Sequence, residues 1–340
     1  MGLNNPVLHL ADLNIGYHLG KANRKAIAGP LNLNLYAGQL ICVLGPNGCG
    51  KSTLLRTISG LLPALEGTIE IVGESLSRLK PAQIAKLISL VLTDNVRSGN
   101  LDVYSLIALG RYPYSGWLGI LSEHDKEVIS HAIAVTHTAP FLGRKIDHLS
   151  DGECQKVMLA RAIAQDTPLI ILDEPTAHID LPSRIQLMRL LHQLARETNK
   201  AILISTHELD LALQVADQIW LMSSDGHLAA GLPEELVLDG SFQQAFDKDG
   251  IAFDATTGTF HIHTSVNGTI SVSGEGTAAY WTKKALQRMG WQIAAAEQNC
   301  NLLLSVKEQD GDTRWVLHHE NGDTITYSAL SNLLSSIQYI

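Results

Sequence analysis

Short apolar runs recur in the first 210 residues of the chain, and several of them stop abruptly at glycine or at polar residues. Residues 40–45 lead into a glycine-rich turn, residues 168–172 stop at Asp173, and residues 201–205 stop at Thr206. Such continuous apolar runs are typical of strands that are buried on both faces of a parallel sheet. Because ligands bind at the carboxyl ends of such strands, we expect these polar residues to share one site.

Helical spacing of apolar residues fills the chain between the first and second of these strands. The spacing predicts helices over residues 83–90 and 123–134. A third helix is predicted to begin at Ser150, because Glu153 three residues later completes a capping-box pattern. We therefore expect a helical insert over about residues 80–150.

The pattern changes after residue 250, where short alternating runs and turn sequences predominate. Asn267-Gly268 lies between two alternating runs and predicts a β-hairpin. Residues 277–289 have helical spacing, and Gly290 predicts the end of that helix. This helix is expected to bury one face, formed by Ala278, Trp281, Ala285 and Met289. Further strand patterns and a closing amphipathic stretch predict a separate small α+β domain over residues 251–340.

The composition indicates a globular protein of about two domains. The chain has 340 residues, of which 45% are hydrophobic, so it is long enough to bury a large core. Lysine and arginine total 25 against 34 acidic residues, a net charge of −9, which disfavours a nucleic-acid partner. The four cysteines show no CxxC spacing, so we expect a reduced, cytosolic setting. No apolar run approaches the ~18 residues of a membrane span, and we expect neither a span nor export.

The glycine-rich turn has the complete pattern of a phosphate-binding loop (P-loop), between a predicted strand and a predicted helix. Its backbone N–H groups would surround a phosphate, Lys51 would reach the β and γ phosphates, and Ser52 would ligate Mg²⁺. Cys49 occupies a free position of the pattern, where a small side chain that fits is favoured over a redox switch. The predicted binding residues are Gly45, Pro46, Asn47, Gly48, Cys49, Gly50, Lys51, Ser52 and Thr53.

Two adjacent carboxylates follow the second buried strand. Asp173 is placed to orient Mg²⁺ through its water shell, and Glu174 is placed to polarise an attacking water. The sequence therefore predicts Glu174 as a catalytic base beside a nucleotide and its metal ion.

Together these segments resemble the nucleotide-binding subunit of ATP-binding cassette (ABC) transporters. The resemblance covers about residues 1–250, and it implies an α/β P-loop NTPase ABC cassette with a helical insert, followed by the small C-terminal α+β domain. Its carrying segments, besides the P-loop, are the signature segment at residues 149–155, the Walker B segment at 172–176, the D-loop at 177–180 and the switch segment at 205–207.

The same resemblance implies roles for individual residues and makes ATP the nucleotide. Tyr17 would stack on adenine, although a half-buried strand aromatic is an equally good interpretation of this residue. His207 would contact the γ-phosphate, and Asp180 of the D-loop would contribute to nucleotide binding. Ser150 and Gly152 of one subunit would touch the γ-phosphate held by the other, so ATP would close a homodimer.

The chain departs from the family pattern at two positions. Asp151 replaces the usual glycine of the signature, which puts a carboxylate close to phosphate and is expected to slow closure unless it meets a donor or cation. The position of the usual Q-loop glutamine falls on Thr93, followed by Asp94. Thr93 can supply a hydroxyl oxygen and Asp94 a charged one, and Thr93 is the expected third metal contact.

Residues 103–114 resemble the importers of iron-siderophores, haem and vitamin B12, in which the Gly-Arg-x-Pro pattern seen here at residues 110–113 is common. The resemblance implies integral-membrane permease partners, an indirect periplasmic binding protein and a peripheral place on the cytoplasmic face of the inner membrane. Tyr112, Tyr114 and Trp117 either face the permease or pack inside the insert.

Other functions stay open at this point. An ABC exporter or a lipid-extracting cassette shares every phosphate motif. A soluble ABC ATPase acting on nucleic acid or ribosomes is disfavoured, because the chain has one cassette, no heptads and an acidic balance. The role of residues 251–340 is open, with regulation as the analogy that the family offers. Four histidines of this region also allow a metal site, although exposed strand histidines without a metal are much commoner: His261, His263, His318 and His319.

Overall fold

A computed structural model describes residues 5–19, 23–92, 101–116, 119–246, 251–262, 267–294, 302–309, 312–319 and 323–337. The chain divides into two compact units. The first unit comprises residues 1–247 and 253–260, and the second unit comprises residues 248–252 and 261–340.

Strands and helices alternate through most of the chain up to residue 262. The strands are β1 (Leu8–His18), β2 (Arg24–Leu35), β3 (Leu40–Leu44), β4 (Glu66–Ile71), β5 (Glu74–Ser75), β6 (Ile88–Val91), β7 (Leu169–Asp173), β8 (Ala201–Ser205), β9 (Gln218–Met222), β10 (Leu228–Gly231), β11 (Ile251–Asp254) and β12 (Thr259–Ile262). The helices are α1 (Lys51–Ile58), α2 (Pro81–Leu87), α3 (Val103–Ala108), α4 (Glu123–Val135), α5 (Asp151–Ala164), α6 (Leu181–Thr198), α7 (Leu209–Val215), α8 (Pro233–Leu238) and α9 (Ser241–Phe246).

A six-stranded sheet with the order β10-β9-β3-β8-β7-β6 forms the centre of the first unit. All of its pairings are parallel except that between β9 and β10. Val43 and Asp173 both pair with Ser205, so the carboxyl ends of β3, β7 and β8 are level. The register therefore brings the three loops that follow these strands to one edge of the sheet.

The central sheet is buried on both faces, as the continuous apolar runs predict. Leu40, Cys42 and Leu44 of β3 lie in a core shared with the helices of the insert and with α6. Ile41 and Val43 lie in a second core, shared with α1 and with the four-stranded antiparallel sheet β2-β1-β4-β5. The α/β fold predicted from the sequence is confirmed.

The prediction of a helix over residues 83–90 is wrong in its second half. Helix α2 ends at Leu87, and β6 follows directly as an edge strand of the central sheet, where Leu90 pairs with Ile171. Parallel pairing with β7 decides the conformation of this apolar stretch, whose period fits a short buried strand as well as a helix.

The Gly-Arg-x-Pro segment has a structural explanation within the insert. A Cβ atom at Gly110 would lie 2.4 Å from the Arg161 carbonyl oxygen of α5, so only glycine allows this approach. Arg111 is 3% exposed, and its Nε–H donates to Asp125 Oδ1 at 2.7 Å while its Nη1–H donates to the Ala164 carbonyl. The Tyr114 ring lies 4.0 Å from the guanidinium carbon. Arg111 thus joins the segment after α3 to α4 and α5.

The second unit has a mixed five-stranded sheet with the order β14-β13-β15-β16-β17. Its second strand, β13, is parallel to both neighbours, and the remaining pairings are antiparallel. The elements are β13 (Gly268–Ser273), α10 (Gly276–Arg288), β14 (Trp291–Ala294), β15 (Leu302–Gln309), β16 (Asp312–His319), β17 (Thr324–Tyr327) and α11 (Leu330–Ile337).

The hairpin predicted around Asn267-Gly268 is not formed. Strand β12 pairs with β11, whereas β13 pairs with β14 and β15. A strand with two parallel neighbours is connected to them by crossovers rather than by a tight turn. Asn267 therefore lies directly before β13 and Gly268 begins it, without closing a hairpin.

The predicted buried face of the helix α10 is wrong at Trp281, whereas Ala278 and Met289 of that face are partly buried against the core of the unit. Trp281 is 61% exposed, and the buried residues are Ala279, Thr282 and Leu286. Thr282 is buried because its hydroxyl donates to a helix carbonyl and accepts a hydrogen bond from Trp315 Nε1 at 2.8 Å. The helix does end before Gly290, which has a φ of 85°, as predicted.

Candidate nucleotide site

The P-loop joins the buried strand β3 to the helix α1. Gly45 has a φ of 149°, and a Cβ atom there would lie 2.3 Å from the Met222 carbonyl oxygen. Lys51 begins α1, is 5% exposed, and its Nζ donates to the carbonyls of Gly45 at 2.8 Å and Pro46 at 3.1 Å. The P-loop therefore surrounds the Lys51 ammonium group, and the amino end of α1 is directed into the loop.

Burial shifts the pKa values of two side chains in the P-loop. Desolvation lowers the pKa of Lys51, while the neighbouring acidic groups oppose this effect. Desolvation likewise raises the pKa of the Cys49 thiol, against a smaller lowering effect of Lys51. Cys49 is 5% exposed, and its sulfur packs near the Gly45 backbone. The thiol therefore fits as a small buried side chain and not as a reactive thiolate.

Asp173 lies at the end of β7 and connects the P-loop to β8. Its Oδ1 accepts a hydrogen bond from Ser52 Oγ at 3.2 Å and one from Ser205 Oγ at 2.6 Å. Asp173 is 4% exposed and Ser205 is fully buried. The carboxylate is thus held in one orientation, with its oxygen beside the hydroxyl that the P-loop pattern assigns to a metal ion.

Glu174 and His207 meet at the ends of neighbouring strands. His207 Nε2 lies 2.6 Å from Glu174 Oε1. The backbone of Glu174 has a positive φ of 50°, and its N–H donates to both the carbonyl and the hydroxyl of Ser205. A non-glycine residue in this conformation is strained, and the two bonds to β8 hold it there. The arrangement fixes a carboxylate and an imidazole side by side at the sheet edge.

Tyr17 extends from β1 to the P-loop helix. Its hydroxyl lies 3.0 Å from Thr53 Oγ1, and its side chain is 39% exposed. The hydrogen bond fixes the ring beside the loop while leaving much of the ring accessible, which is the geometry that stacking on a base requires.

The signature segment and the D-loop form a second polar surface in the same unit. Ser150 caps α5 as predicted: its Oγ accepts from the Glu153 N–H, and Glu153 Oε2 accepts from the Ser150 N–H at 2.8 Å. A Cβ atom at Gly152 would lie 3.5 Å from Ser183 Oγ and 3.8 Å from Ile179. Asp180 is the N-cap residue of α6. Among the described residues, no hydrogen bond joins Ser150 or Asp180 to the P-loop.

Some predicted residues lie outside the described part of the chain, namely Thr93, Asp94, Trp117 and His263. For the rest of the chain, no group of three or more His, Cys, Asp or Glu side chains could hold a metal ion. His318 and His319 are therefore not part of such a group. Tyr112 is 76% exposed, whereas Tyr114 lies against Arg111.

Sequence reasoning missed the central role of Ser205. Its hydroxyl donates to Asp173 and accepts from the Glu174 N–H, so one buried side chain orients both carboxylate residues. The only sequence signal was its position at the end of an apolar strand, next to the switch histidine.

Two protein families match the chain. Residues 28–177 match the family described as ABC transporter, and residues 267–338 match the family described as iron ABC transporter C-terminal domain. The first match spans the P-loop and the Walker B segment, and the second lies in the second unit.

Curated relatives and solved structures agree with this assignment. An uncharacterized ABC transporter ATP-binding protein of Methanocaldococcus jannaschii is 36% identical over 256 residues, which cover 75% of this chain and 87% of the relative. The achromobactin transport ATP-binding protein of Dickeya dadantii is 35% identical over 231 residues, covering 68% and 86%. A metal-chelate type ABC transporter solved in an inward-facing conformation is 26% identical, with a TM-score of 0.61, over 71% of this chain and 89% of that one.

No helix in the described part of the chain is long and apolar enough to cross a membrane. The nucleotide-site geometry, the match to the ABC transporter family and the identity to curated relatives lead to one conclusion. The chain belongs to the family of ABC transporter ATP-binding proteins and is an ATPase of that family.

Proposed function

We propose that this chain powers an ABC importer whose cargo is an iron-siderophore, haem or vitamin B12. Two copies would close on ATP and reopen after hydrolysis. The observation that carries the proposal is the contact of Glu174 with His207, 2.6 Å apart, at the edge of the sheet that also carries the P-loop.

Glu174 is the proposed general base. Its backbone is fixed to β8 by two hydrogen bonds, and His207 holds one carboxylate oxygen, so the other oxygen is left to polarise a water. His207 is the proposed contact to the γ-phosphate, and Lys51 the cation that offsets the phosphate charge. Tyr17 is proposed to stack on the adenine ring.

The residues next to the P-loop fit a magnesium ion. Ser52 Oγ and Asp173 Oδ1 converge to 3.2 Å, and hydroxyl and carboxylate oxygens are the ligands that Mg²⁺ prefers. When bound, Mg²⁺ would neutralise charge on the β and γ phosphate oxygens. Ser52 would supply one ligand, Asp173 would orient the ion through its water shell, and Thr93 is proposed as a third contact.

Closure of a homodimer accounts for the separate signature surface. The capped amino terminus of α5, with Ser150 and Gly152, would serve as an anion site in a unit whose own P-loop would hold the phosphates of a nucleotide. We infer that this terminus binds the γ-phosphate held by a second copy. Asp180, at the start of α6, would lie in the same interface.

A groove beside α1, α2 and α5 is the proposed docking site of the permease. It has a volume of about 590 Å³ and is lined mostly by apolar residues, among them Leu61, Ile84 and Met158. We expect Leu61→Glu to abolish copurification of the permease and to leave ATP binding intact. Leu238→Glu, at a site that is 86% exposed on α8, is the matched control and should change neither property. Copurification of equal amounts of permease with both variants would contradict this docking site.

The proposed cargo and direction rest on similarity. Residues 267–338 match an iron ABC transporter domain, and relatives include a transport protein for achromobactin and a metal-chelate type transporter. Cargo would be bound by the permease and by a periplasmic binding protein, with this chain peripheral at the cytoplasmic face of the membrane. Affinity purification from membranes, with identification of the copurifying permease, tests import against export.

The decisive test of hydrolysis is Glu174→Gln. We expect ATP affinity to persist, a nucleotide-bound dimer to accumulate, and turnover to fall by about 100-fold or more, because removal of a general base costs about two decades or more. Glu197→Gln, at the far end of α6, is the control and should behave as the wild type. Unchanged steady-state hydrolysis in Glu174→Gln would contradict the assignment.

A further inference from the structure

Arg184, in the first turns of α6, joins the two loops that carry the proposed catalytic residues. Its Nε–H donates to the Ile179 carbonyl at 2.7 Å, and its Nη1–H donates to Glu208 Oε1 at 2.5 Å. Ile179 belongs to the D-loop after β7, and Glu208 directly follows His207 in the loop after β8. One guanidinium group therefore holds both loops.

Both acceptors are fixed within their own loops. The Ile179 side chain is 4% exposed and packs in the helix-side core. The Glu208 N–H donates to the hydroxyl of Thr206, which is fully buried. The side chains of Arg184 and Glu208 are 32% and 22% exposed, so salt screens this ion pair less than it screens a surface pair.

The loop between β7 and α6, which contains the D-loop, is held to the switch segment at both ends. At the start of this loop, the Glu174 N–H donates to the Ser205 carbonyl. At its end, Arg184 provides the second connection. Between them, His178 has a positive φ of 64°, a conformation that persists only where surrounding contacts fix it. A displacement of the D-loop would therefore be transmitted to the segment that carries His207.

We propose that Arg184 is a positioning residue, which makes the D-loop and the switch segment move together so that the contact of His207 with Glu174 depends on the D-loop. This inference rests on the proposed function, since it assigns hydrolysis to those two residues. Arginine suits the task because its planar guanidinium presents several donors in a fixed geometry, whereas lysine offers one compact ammonium group.

The test uses the full chain, three single variants and the double variant of Arg184→Lys with Glu208→Gln. Arg184→Lys keeps a positive charge for Glu208 but loses the planar donors that reach two acceptors at once. Glu208→Gln removes the charged acceptor. Arg196→Gln is the matched control, because Arg196 lies on the same helix and pairs with Asp217 at 2.8 Å, outside the nucleotide loops. The measurements are kcat and KM for ATP hydrolysis, ATP affinity and the melting temperature.

We expect Arg184→Lys and Glu208→Gln each to lower kcat about tenfold, because a small misplacement of catalytic groups costs one to two decades of rate. ATP affinity should stay within about twofold, since neither residue contacts the P-loop among the described residues. The double variant should lose no more than the larger single loss, because both changes break one connection. Arg196→Gln should leave kcat unchanged.

Several outcomes would overturn the inference. Unchanged kcat in Arg184→Lys would do so, and so would additive losses in the double variant. A parallel fall in kcat, ATP affinity and melting temperature would show a purely structural role. Failure of the wild-type chain to hydrolyse ATP would instead overturn the proposed function itself, so the two failures are distinguishable.

Discussion

The two units build their sheets differently, and the first unit gathers the residues of the candidate nucleotide site at one edge of its sheet. In the first unit, β3, β7 and β8 are parallel neighbours, and the P-loop, Asp173 and His207 follow them directly. In the second unit, β13 is parallel to β14 and β15, whereas β15, β16 and β17 are antiparallel. In its antiparallel part, polar side chains bond across strands, as His318 does with Thr324 at 3.1 Å.

Strand direction contributes to this difference, since the second unit has a parallel part and an antiparallel part. Parallel strands all end at the same edge, so the loops after them converge and can share one ligand. Antiparallel strands end alternately at opposite edges, which disperses the loops. We therefore expect hydrolysis to depend on single residues of the first unit, and to be insensitive to the same residue types in the second.

The largest expected difference concerns two lysines. Lys51→Ala should lower ATP hydrolysis by about 100-fold or more, because Lys51 is the buried ammonium group of the loop and is proposed to offset the phosphate charge. Lys307→Ala, on an exposed position of β15, should leave the rate unchanged. Steady-state ATPase assays on the purified full chain compare the two. Intact activity in Lys51→Ala would contradict the P-loop assignment.

The next largest effect concerns where the two units separate. Phe253 is 5% exposed and stacks on Phe242, and Phe260 packs against Phe246, so residues 253–260 complete the first unit. A chain ending at residue 262 should fold and hydrolyse ATP. A chain ending at residue 250 should lose about 3 to 5 kcal/mol of unfolding free energy, because a buried phenylalanine is removed.

Urea unfolding of both truncated chains checks this boundary. Aggregation of the longer truncated chain would show that the first unit needs the second. If the longer truncated chain folds but fails to bind ATP, the prediction that the first unit binds nucleotide without the second is contradicted.

A smaller effect concerns the stability of the first unit in acid. The ion pairs between described residues lie in this unit. Hydrogen bonds from Ser122 and Arg111 lower the pKa of Asp125 from 3.8 to about 2. The folded-state pKa is depressed, so this contribution is present above about pH 4 and is lost as the pH falls towards 2. Asp125→Asn should therefore cost about 2 kcal/mol near neutral pH, because it removes charge-assisted hydrogen bonds.

Urea unfolding as a function of pH measures this contribution. The difference in unfolding free energy between the wild type and Asp125→Asn should shrink as the pH falls from 4 to 2. A difference that stays constant across this range would contradict the role of the charged carboxylate.

The smallest expected effect is that of Asp151→Gly. Removal of this carboxylate from the phosphate-facing start of α5 should raise ATPase activity about twofold, and the gain should shrink at high salt. The helix should lose a few tenths of a kcal/mol, because an acid in the first turn stabilises it. Glu123→Gly, in the first turn of α4, is the control for the helix effect. A fall in activity would show that Asp151 makes a needed contact.

Local patterns were sufficient for much of the first unit. The P-loop, the buried strands and the Ser150–Glu153 cap each depend on residues that are close in sequence, and the structure contains all three. The stretch that became β6 was predicted as helix, because only its pairing with β7, about 80 residues later, decides its conformation.

Local patterns were less informative in the second unit. There the Asn-Gly pair predicted a hairpin that does not form, because β13 pairs with two parallel strands instead. The face of α10 was misassigned because Thr282 counts as polar in sequence, whereas in the fold its hydroxyl is satisfied by Trp315 and is buried. Burial of a hydroxyl depends on a partner that periodicity does not reveal.

The sequence by itself determined the chemistry of this protein, since the P-loop and the Asp173-Glu174 pair are contiguous motifs with a fixed order and spacing. Only the tertiary structure decided how these motifs are connected. Ser205 orients both carboxylate residues, and Arg184 spans two loops whose acceptors lie 29 residues apart in the chain. Such contacts depend on the register of neighbouring parallel strands. Hydrophobic periodicity predicts that these strands are buried but does not predict how they align.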